Sequence, residues 1–523
     1  MDNQIKHKLG QMIIAGFHSI DVDDQARRLV ENYQVGNFAL FARNVVSTRQ
    51  LCKLCDDLHR LTFEKNGVAA IIACDQEGGS VSRVSIGSAL FAGPMAMAAS
   101  PSADPYTVGR NCAKVLGSTG LSGIFGPVMD VNTEPMNPII GTRSYSDDPE
   151  VVIKLGTQMV KGVQEGGLLT SLKHFPGHGR VASDSHLGIP VNTWPVEELE
   201  NIEFRTFQEA INAGADAIMS CHVLYQNYDP DYPGTLSKKI MTGLLRNQMK
   251  FEGLAITDCM EMDAIRKEYG IGRGAVLAVQ AGCDILCFSH TYEAVSEALE
   301  ALYEAVEQGI ITEERIDQSY QRIMKMKEKY HLLSLPVIDM DRAVELMKAP
   351  GILSLNAKIS HDSITLLTGK DSLQIFKNAK HLRFFAPASV ALHGAEDKEK
   401  KPTYFSELAA ERFGGDSVVI PLNELDQATK DAIHDDSYDV AVLALYNARF
   451  RDGQQAVLRE LEAQGRPLVV LLLGAPYDAA LLKNAQCVVA AIEYTALSAE
   501  ALLDVLEDGS FYGKLPVSVP SVM

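Results

Sequence analysis

A lysine, three histidines and an aspartate fall within fourteen residues, in the stretch Lys173-His174-Phe175-Pro176-Gly177-His178-Gly179 and its sequel Asp184-Ser185-His186. Lysine and aspartate carry opposite charges at neutral pH, and histidine, with an ordinary pKa of about 6.5, gives or takes a proton there. The group therefore suits proton transfer and the gripping of a polar ligand. It follows the apolar, strand-like run Leu168-Leu169-Thr170-Ser171-Leu172, where a parallel sheet presents its loops for chemistry. It reads as an active-site loop. His174 and His178 are four apart, a spacing that aligns two metal ligands on a helix, but Pro176 and Gly177 stand between them and no zinc-type glutamate follows His174. Neither a metal nor a cofactor is expected. A structural role, satisfying buried backbone groups, suits one or two of the histidines but not all three beside a lysine and an aspartate.

The elements that must position this loop repeat along the first 330 or so residues. Eight β-rich runs, 12–17, 36–41, 69–75, 123–131, 168–175, 217–223, 254–259 and 284–289, alternate with longer amphipathic stretches. That alternation predicts a parallel sheet with crossover helices, and eight strands suit a (β/α)8 barrel better than an open doubly wound sheet. No Gly-x-Gly-x-x-Gly or Walker-type loop opens any of the helices, so nucleotide binding has no support. In such a barrel the chemistry gathers at the C-terminal ends of the strands. Polar clusters end five of the runs: Asp75-Gln76-Glu77-Gly78-Gly79, Asp130-Val131-Asn132, Lys173-His174, His222 and Thr257-Asp258. Asp258 alone could as well cap the following helix. Five clusters on one rim are not explained as caps.

The seven-residue run from Lys173 to Gly179, a short gap and Asp184-Ser185-His186 resemble the signature of glycoside hydrolase family 3, specifically its NagZ-type β-N-acetylglucosaminidase branch. The resemblance implies that Asp75 and Arg83, in Asp75-Gln76-Glu77-Gly78-Gly79-Ser80-Val81-Ser82-Arg83, grip sugar hydroxyls, together with Arg143, Lys173 and His174; His222, on the same rim, is counted with these substrate ligands. It also implies that Asp258, in Ile256-Thr257-Asp258-Cys259-Met260-Glu261-Met262, is the nucleophile. Ser80, where relatives often have arginine, and Cys259, where they often have a second acid, depart from the pattern without removing any of these residues.

Cleaving a glycosidic bond with retention needs a carboxylate to attack the anomeric carbon and a proton donor for the leaving oxygen. Retaining enzymes usually take the donor from a second carboxylic acid, but this loop offers His186, two residues beyond Asp184. In an extended loop these two side chains share a side, so Asp184 can hold one ring nitrogen while the other faces the substrate. The β-glucosidase branch typically lacks the Pro-Gly-His segment and draws its acid from the C-terminal domain, which favours an N-acetylglucosamine glycoside here. Four alternatives stay open: a related phosphorylase, a β-glucosidase, a catalytically silent sugar-binding protein and an aldolase-type barrel with Lys173 as a Schiff-base lysine.

The rest of the chain agrees with a small neutral partner. A formal net charge of −19 over 523 residues repels nucleic acid and anionic membrane surfaces, and no run approaches the length of a membrane span. The nine cysteines are odd in number and several lie in apolar runs, so they read as reduced core residues; Cys52-x-x-Cys55 has helical flanks and no second pair. A cytoplasmic protein, monomeric or homodimeric, is expected. A barrel domain over 1–335 and a linker over 336–352, bracketed by Pro336 and Pro350, precede a second α/β domain over 353–523. Its β-rich runs are 363–367, 382–385, 417–420, 440–445, 468–473 and 488–492, and the ending Gly513-Lys514-Leu515-Pro516-Val517-Ser518-Val519-Pro520 resembles the close of the C-terminal α/β sandwich of many family 3 members.

Overall fold

A computed structural model describes residues 2–181, 188–371, 373–388 and 405–519. Eight parallel strands, β1 (Ile13–Ala15), β2 (Asn37–Leu40), β3 (Ile71–Gly78), β4 (Gly123–Val128), β5 (Leu169–Phe175), β6 (Ala217–Ser220), β7 (Leu254–Cys259) and β8 (Ile285–Phe288), each pair with the next, and β8 pairs back with β1. The sheet thus closes into the expected (β/α)8 barrel. Closure buries both faces of every strand, which is why runs such as Ile71-Ile72-Ala73-Cys74 are apolar without alternation. The helix Thr48–Asn66 illustrates the outer ring. Ser47 caps its first turn, Leu51, Leu54, Cys55 and Leu58 form the buried stripe, and Gly67 ends it in the left-handed conformation.

At the N-terminal end of the barrel, Lys327, on the helix Glu313–Lys329, is fully buried and donates to Gln11 Oε1 at 2.8 Å, Ala69 O at 2.9 Å and Gly36 O at 3.1 Å. Its Nζ ties together the segments that enter β1, β2 and β3. The floor of the barrel is therefore closed by a structural network, leaving the opposite rim for chemistry.

The second domain is built on a six-stranded sheet. Its strands are β9 (Thr365–Thr368), β10 (Leu382–Ala386), β11 (Asp416–Val419), β12 (Val440–Leu445), β13 (Leu468–Leu472) and β14 (Cys487–Ala490), in the spatial order 9-14-13-12-10-11. Only β9 runs antiparallel. Between the domains, the stretch expected to be a linker carries the helix Met340–Met347, capped by Asp339, and the start of the helix Pro350–Ser363. Pro350 opens that helix instead of breaking one, because the first helical position needs no N–H partner.

The second domain packs against the rim loops of the barrel. Tyr477 accepts a hydrogen bond from Asn132 at 2.8 Å, Arg449 donates to Pro135 O at 3.0 Å, and Glu493 accepts the Gly93 N–H at 2.8 Å. The loops that follow β3 and β4 are thereby held from above. All nine cysteines are free thiols, eight of them buried, and burial pushes the Cys52 thiol up to about 11. Among the described residues, no helix is long and apolar enough to cross a membrane.

Candidate active site

Asp75 lies near the C-terminal end of β3, and Glu77 two residues further on the same strand. The strand runs on to Gly78 and then turns back, so that Val81–Ser82 pairs with it antiparallel and brings Arg83 over Asp75. Arg83 Nη2 lies 2.9 Å from Asp75 Oδ2, and Lys173 Nζ, from β5, lies 2.6 Å from Asp75 Oδ1. Burial alone would raise the Asp75 carboxyl, but these two cations hold it well below the usual carboxylate range. Glu77 is deeper. It takes both Nε and Nη2 of Arg143, at 2.8 and 2.9 Å, and contacts Lys173, which together bring it down to about 2 against the effect of its burial. Lys173 is correspondingly raised despite its burial. Clamped by two carboxylates, it is a charged donor and not the neutral amine that a Schiff-base mechanism requires.

Asp130, just beyond β4, organises the loop that follows β5. Its carboxylate accepts from His174 Nδ1 at 2.7 Å, from the His174 N–H at 3.2 Å and from the His178 N–H at 2.6 Å. On its other side, His174 Nε2 faces Arg143 Nη2 at 3.2 Å. A carboxylate only accepts and a guanidinium only donates, so the two contacts fit an imidazole that carries its proton on Nδ1 and accepts at Nε2. His178 is buried, and burial together with the neighbouring His174 brings it down to about 4. Its backbone N–H, held by Asp130, plays a structural role of the kind that the sequence allowed for one or two of the histidines.

Two glycines let this loop lie close to the barrel. Gly177 has φ 137°, and a Cβ there would stand 2.4 Å from Glu203 Cγ; a Cβ on Gly179 would stand 1.7 Å from the carbonyl oxygen of Val131. The peptide bonds Lys173–His174 and Phe175–Pro176 are both cis.

Asp258 is half-buried at the end of β7, where its Oδ1 accepts the N–H of Cys259 at 2.7 Å. The loop beyond it is pinned by Glu261, which accepts the N–H groups of Ser289, His290 and Thr291 and the Thr291 hydroxyl, at 2.6 to 3.0 Å. His222, expected among the substrate ligands, has protein partners on both sides of its ring. Its Nδ1 lies 2.9 Å from Thr235 Oγ1 and its Nε2 3.0 Å from the Cys259 carbonyl oxygen, so both nitrogens meet protein partners and the ring braces the strand that carries Asp258. Its isolation in the sequence concealed those partners. Asp184 and His186 lie outside the described residues.

The structure thus gathers Asp75, Arg83, Arg143, Lys173 and His174 into one cluster and adds Glu77 and Asp130, whose roles as counter-ions were not read from the sequence. The C-terminal domain brings Glu493 against the same face, where it is buried and engaged with Gly93 and Thr495.

The profile of the glycosyl hydrolase family 3 N-terminal domain matches residues 4–326, the whole barrel. The chain belongs to glycosyl hydrolase family 3. Within that family, it is similar over nearly all its length to a family 3 β-N-acetylglucosaminidase from Paenibacillus sp. str. FPU-7, at 32% identity and a TM-score of 0.90, with 99% of each chain covered. It is 29% identical to β-hexosaminidase A of Pseudoalteromonas piscicida over 78% of this chain and 70% of that protein. A β-hexosaminidase of Alkalilimnicola ehrlichii is 32% identical over 55% of this chain and 84% of its own length. The family 3 membership makes this chain a glycoside hydrolase and accounts for its barrel and its second sheet together.

Proposed function

We propose that the chain is a retaining exo-β-N-acetylglucosaminidase that removes terminal non-reducing β-linked N-acetylglucosamine from muropeptides or chitin oligosaccharides. The observation that carries this reading is the Asp75 carboxylate gripped between Arg83 and Lys173, on the rim where β7 ends in Asp258. A sugar hydroxyl placed there meets one acceptor and two donors, which suits its own capacity to donate once and accept twice. The β-N-acetylglucosaminidase and β-hexosaminidase names of the relatives support the acetamido sugar.

In the reaction, the Asp258 carboxylate attacks the anomeric carbon while His186 protonates the departing glycosidic oxygen, giving a glycosyl ester. His186 then takes a proton from water, which attacks the same carbon and releases the sugar with its configuration retained. Asp184 orients the imidazole and offsets its charge while it is protonated. Arg143 and His174, fixed by Glu77 and Asp130, are presented in one orientation before substrate arrives, which lowers the cost of ordering them on binding.

The test is to offer N-acetylglucosaminyl-anhydromuramic acid, chitobiose and cellobiose, each with and without phosphate. Free N-acetylglucosamine from the first two, unaffected by phosphate, is the expected product. Sugar 1-phosphate as the main product would make the enzyme a phosphorylase, and preferential cleavage of cellobiose would make it a β-glucosidase.

A further inference from the structure

The hairpin that brings Arg83 over Asp75 turns at Gly78-Gly79-Ser80, between β3 and Val81–Ser82. The barrel's own chain holds it on one side. The Gly79 N–H donates to Phe91 O at 2.9 Å, and Gln76 Nε2 donates to Ala89 O at 2.9 Å and Val84 O at 3.2 Å. The second domain meets it on the other. Glu493, three residues past β14, accepts the Gly93 N–H on Oε2 at 2.8 Å, and the same oxygen stands 2.6 Å from where a Cβ on Gly79 would lie and 2.8 Å from where one on Gly93 would lie. Glycine at both positions leaves room for the carboxylate against the turn.

Glu493 is aimed from within its own domain. Ile492, immediately before it and fully buried, has φ 69°, a left-handed conformation that β-branched residues rarely adopt. The Thr495 hydroxyl donates to Glu493 Oε1 at 3.3 Å, and Ser498 Oγ donates to the Glu493 carbonyl oxygen at 2.8 Å, both at the start of the helix Ala496–Asp508. One carboxylate oxygen is thus tied to the second domain and the other to the barrel. A contact that only joined two domains would avoid the desolvation of a buried carboxylate by using apolar residues. Backbone outliers such as Ile492 gather at functional sites, where the surrounding structure holds them in place.

We propose that Glu493 is a positioning residue for sugar binding: by fixing the turn at Gly79 and Gly93 it sets the hairpin that carries Arg83, and so makes the second domain part of the sugar site. The inference rests on the reading of Asp75 and Arg83 as hydroxyl ligands given above. Removing Glu493 should then weaken the grip on the glycosyl unit, which natural and artificial substrates share, and not the handling of the leaving group.

The experiment measures Ki for N-acetylglucosamine as a competitive inhibitor, with kcat/KM on chitobiose and on a nitrophenyl N-acetylglucosaminide. Glu493→Ala is expected to raise Ki and to lose about a hundredfold in kcat/KM, the effect of a misplacement of about 1 Å, equally on both substrates. Glu493→Gln, which keeps an acceptor for the Gly93 N–H, should recover most of the loss. In an Arg83→Ala background, Glu493→Ala should cost little further. Gly93→Ala, at φ −67° where alanine is unstrained, presses a methyl group against Oε2; it should give a weaker loss of the same kind and serves if Glu493→Ala fails to fold. An unchanged Ki, or a full further loss in the Arg83→Ala background, would reduce the contact to domain packing. A loss confined to chitobiose would overturn the proposal by making Glu493 act on the leaving group. If Arg83→Ala itself leaves Ki unchanged, the hydroxyl-ligand reading falls and takes the proposal with it; a raised Ki for Arg83→Ala beside an unchanged one for Glu493→Ala sinks the proposal alone.

Discussion

Arg143 meets Glu77 through two parallel contacts, Nε to Oε2 at 2.8 Å and Nη2 to Oε1 at 2.9 Å, and Glu77 is wholly shut off from solvent. The pair has consequences that measurement can reach. Replacing Glu77 with glutamine keeps the volume but leaves the buried charges of Arg143 and Lys173 undercompensated. Breaking one side of a buried ion pair costs about 3–5 kcal/mol, so Glu77→Gln should lower the urea midpoint markedly and reduce turnover. A variant as stable as the parent would mean that the two cations do not depend on Glu77.

Acid should act on the same pair. Glu77 titrates at about 2 in the folded protein against an ordinary 4.5, so its stabilising contribution is complete above pH 4.5 and is lost as the pH falls through about 2. Asp75, held low by Lys173 and Arg83 against its burial, works in the same direction. Unfolding free energy followed from pH 5 downward should fall more steeply for the parent than for Glu77→Gln. Parallel curves would contradict the linkage.

Covalent trapping tests Asp258. A fluorinated N-acetylglucosamine with a good leaving group is expected to add its mass to the peptide spanning residues 255–266. Labelling of another carboxylate would reassign the nucleophile.

Leaving-group dependence tests the dyad. Each proton-transfer role is worth about a hundred- to ten-thousandfold in rate, so His186→Ala should lose that much on natural disaccharides and little on nitrophenyl glycosides. Asp184→Ala should give a milder version of the same pattern. Losses of equal size on both substrates would remove His186 from the role.

The barrel floor provides a contrast. Lys327→Met removes the donor to Gln11, Gly36 and Ala69 and strands three buried acceptors, each worth about 1–3 kcal/mol when left unpaired. The variant should melt well below the parent while the remaining folded enzyme keeps its KM, because the lysine lies at the opposite end of the barrel from Asp75. A raised KM at full stability would place Lys327 in communication with the rim.

The strands of both domains were legible in the sequence because each is a short apolar run bounded by polar residues, and a barrel buries such runs on both faces. All eight barrel strands and all six of the second sheet fall on the expected runs, within a few residues at their ends. Asp75, Lys173 and His174 were legible too, since a parallel barrel sends every strand end to one face and the Lys-His-Phe-Pro-Gly-His-Gly run is compositionally rare; Arg83 and Arg143, which end no barrel strand, were expected only from the family resemblance. The sequence could not say who pairs with whom. Arg143 lies 66 residues from Glu77 and His174 lies 44 from Asp130, and no periodicity links positions so far apart. Only the tertiary structure decided that Glu77 and Asp130 serve as counter-ions, that His222 turns to Thr235 and the Cys259 carbonyl, and that Arg180 reaches Glu203 and Trp194. Local pattern determines which face a residue occupies; its partner across the barrel is set by the geometry of all eight strands at once.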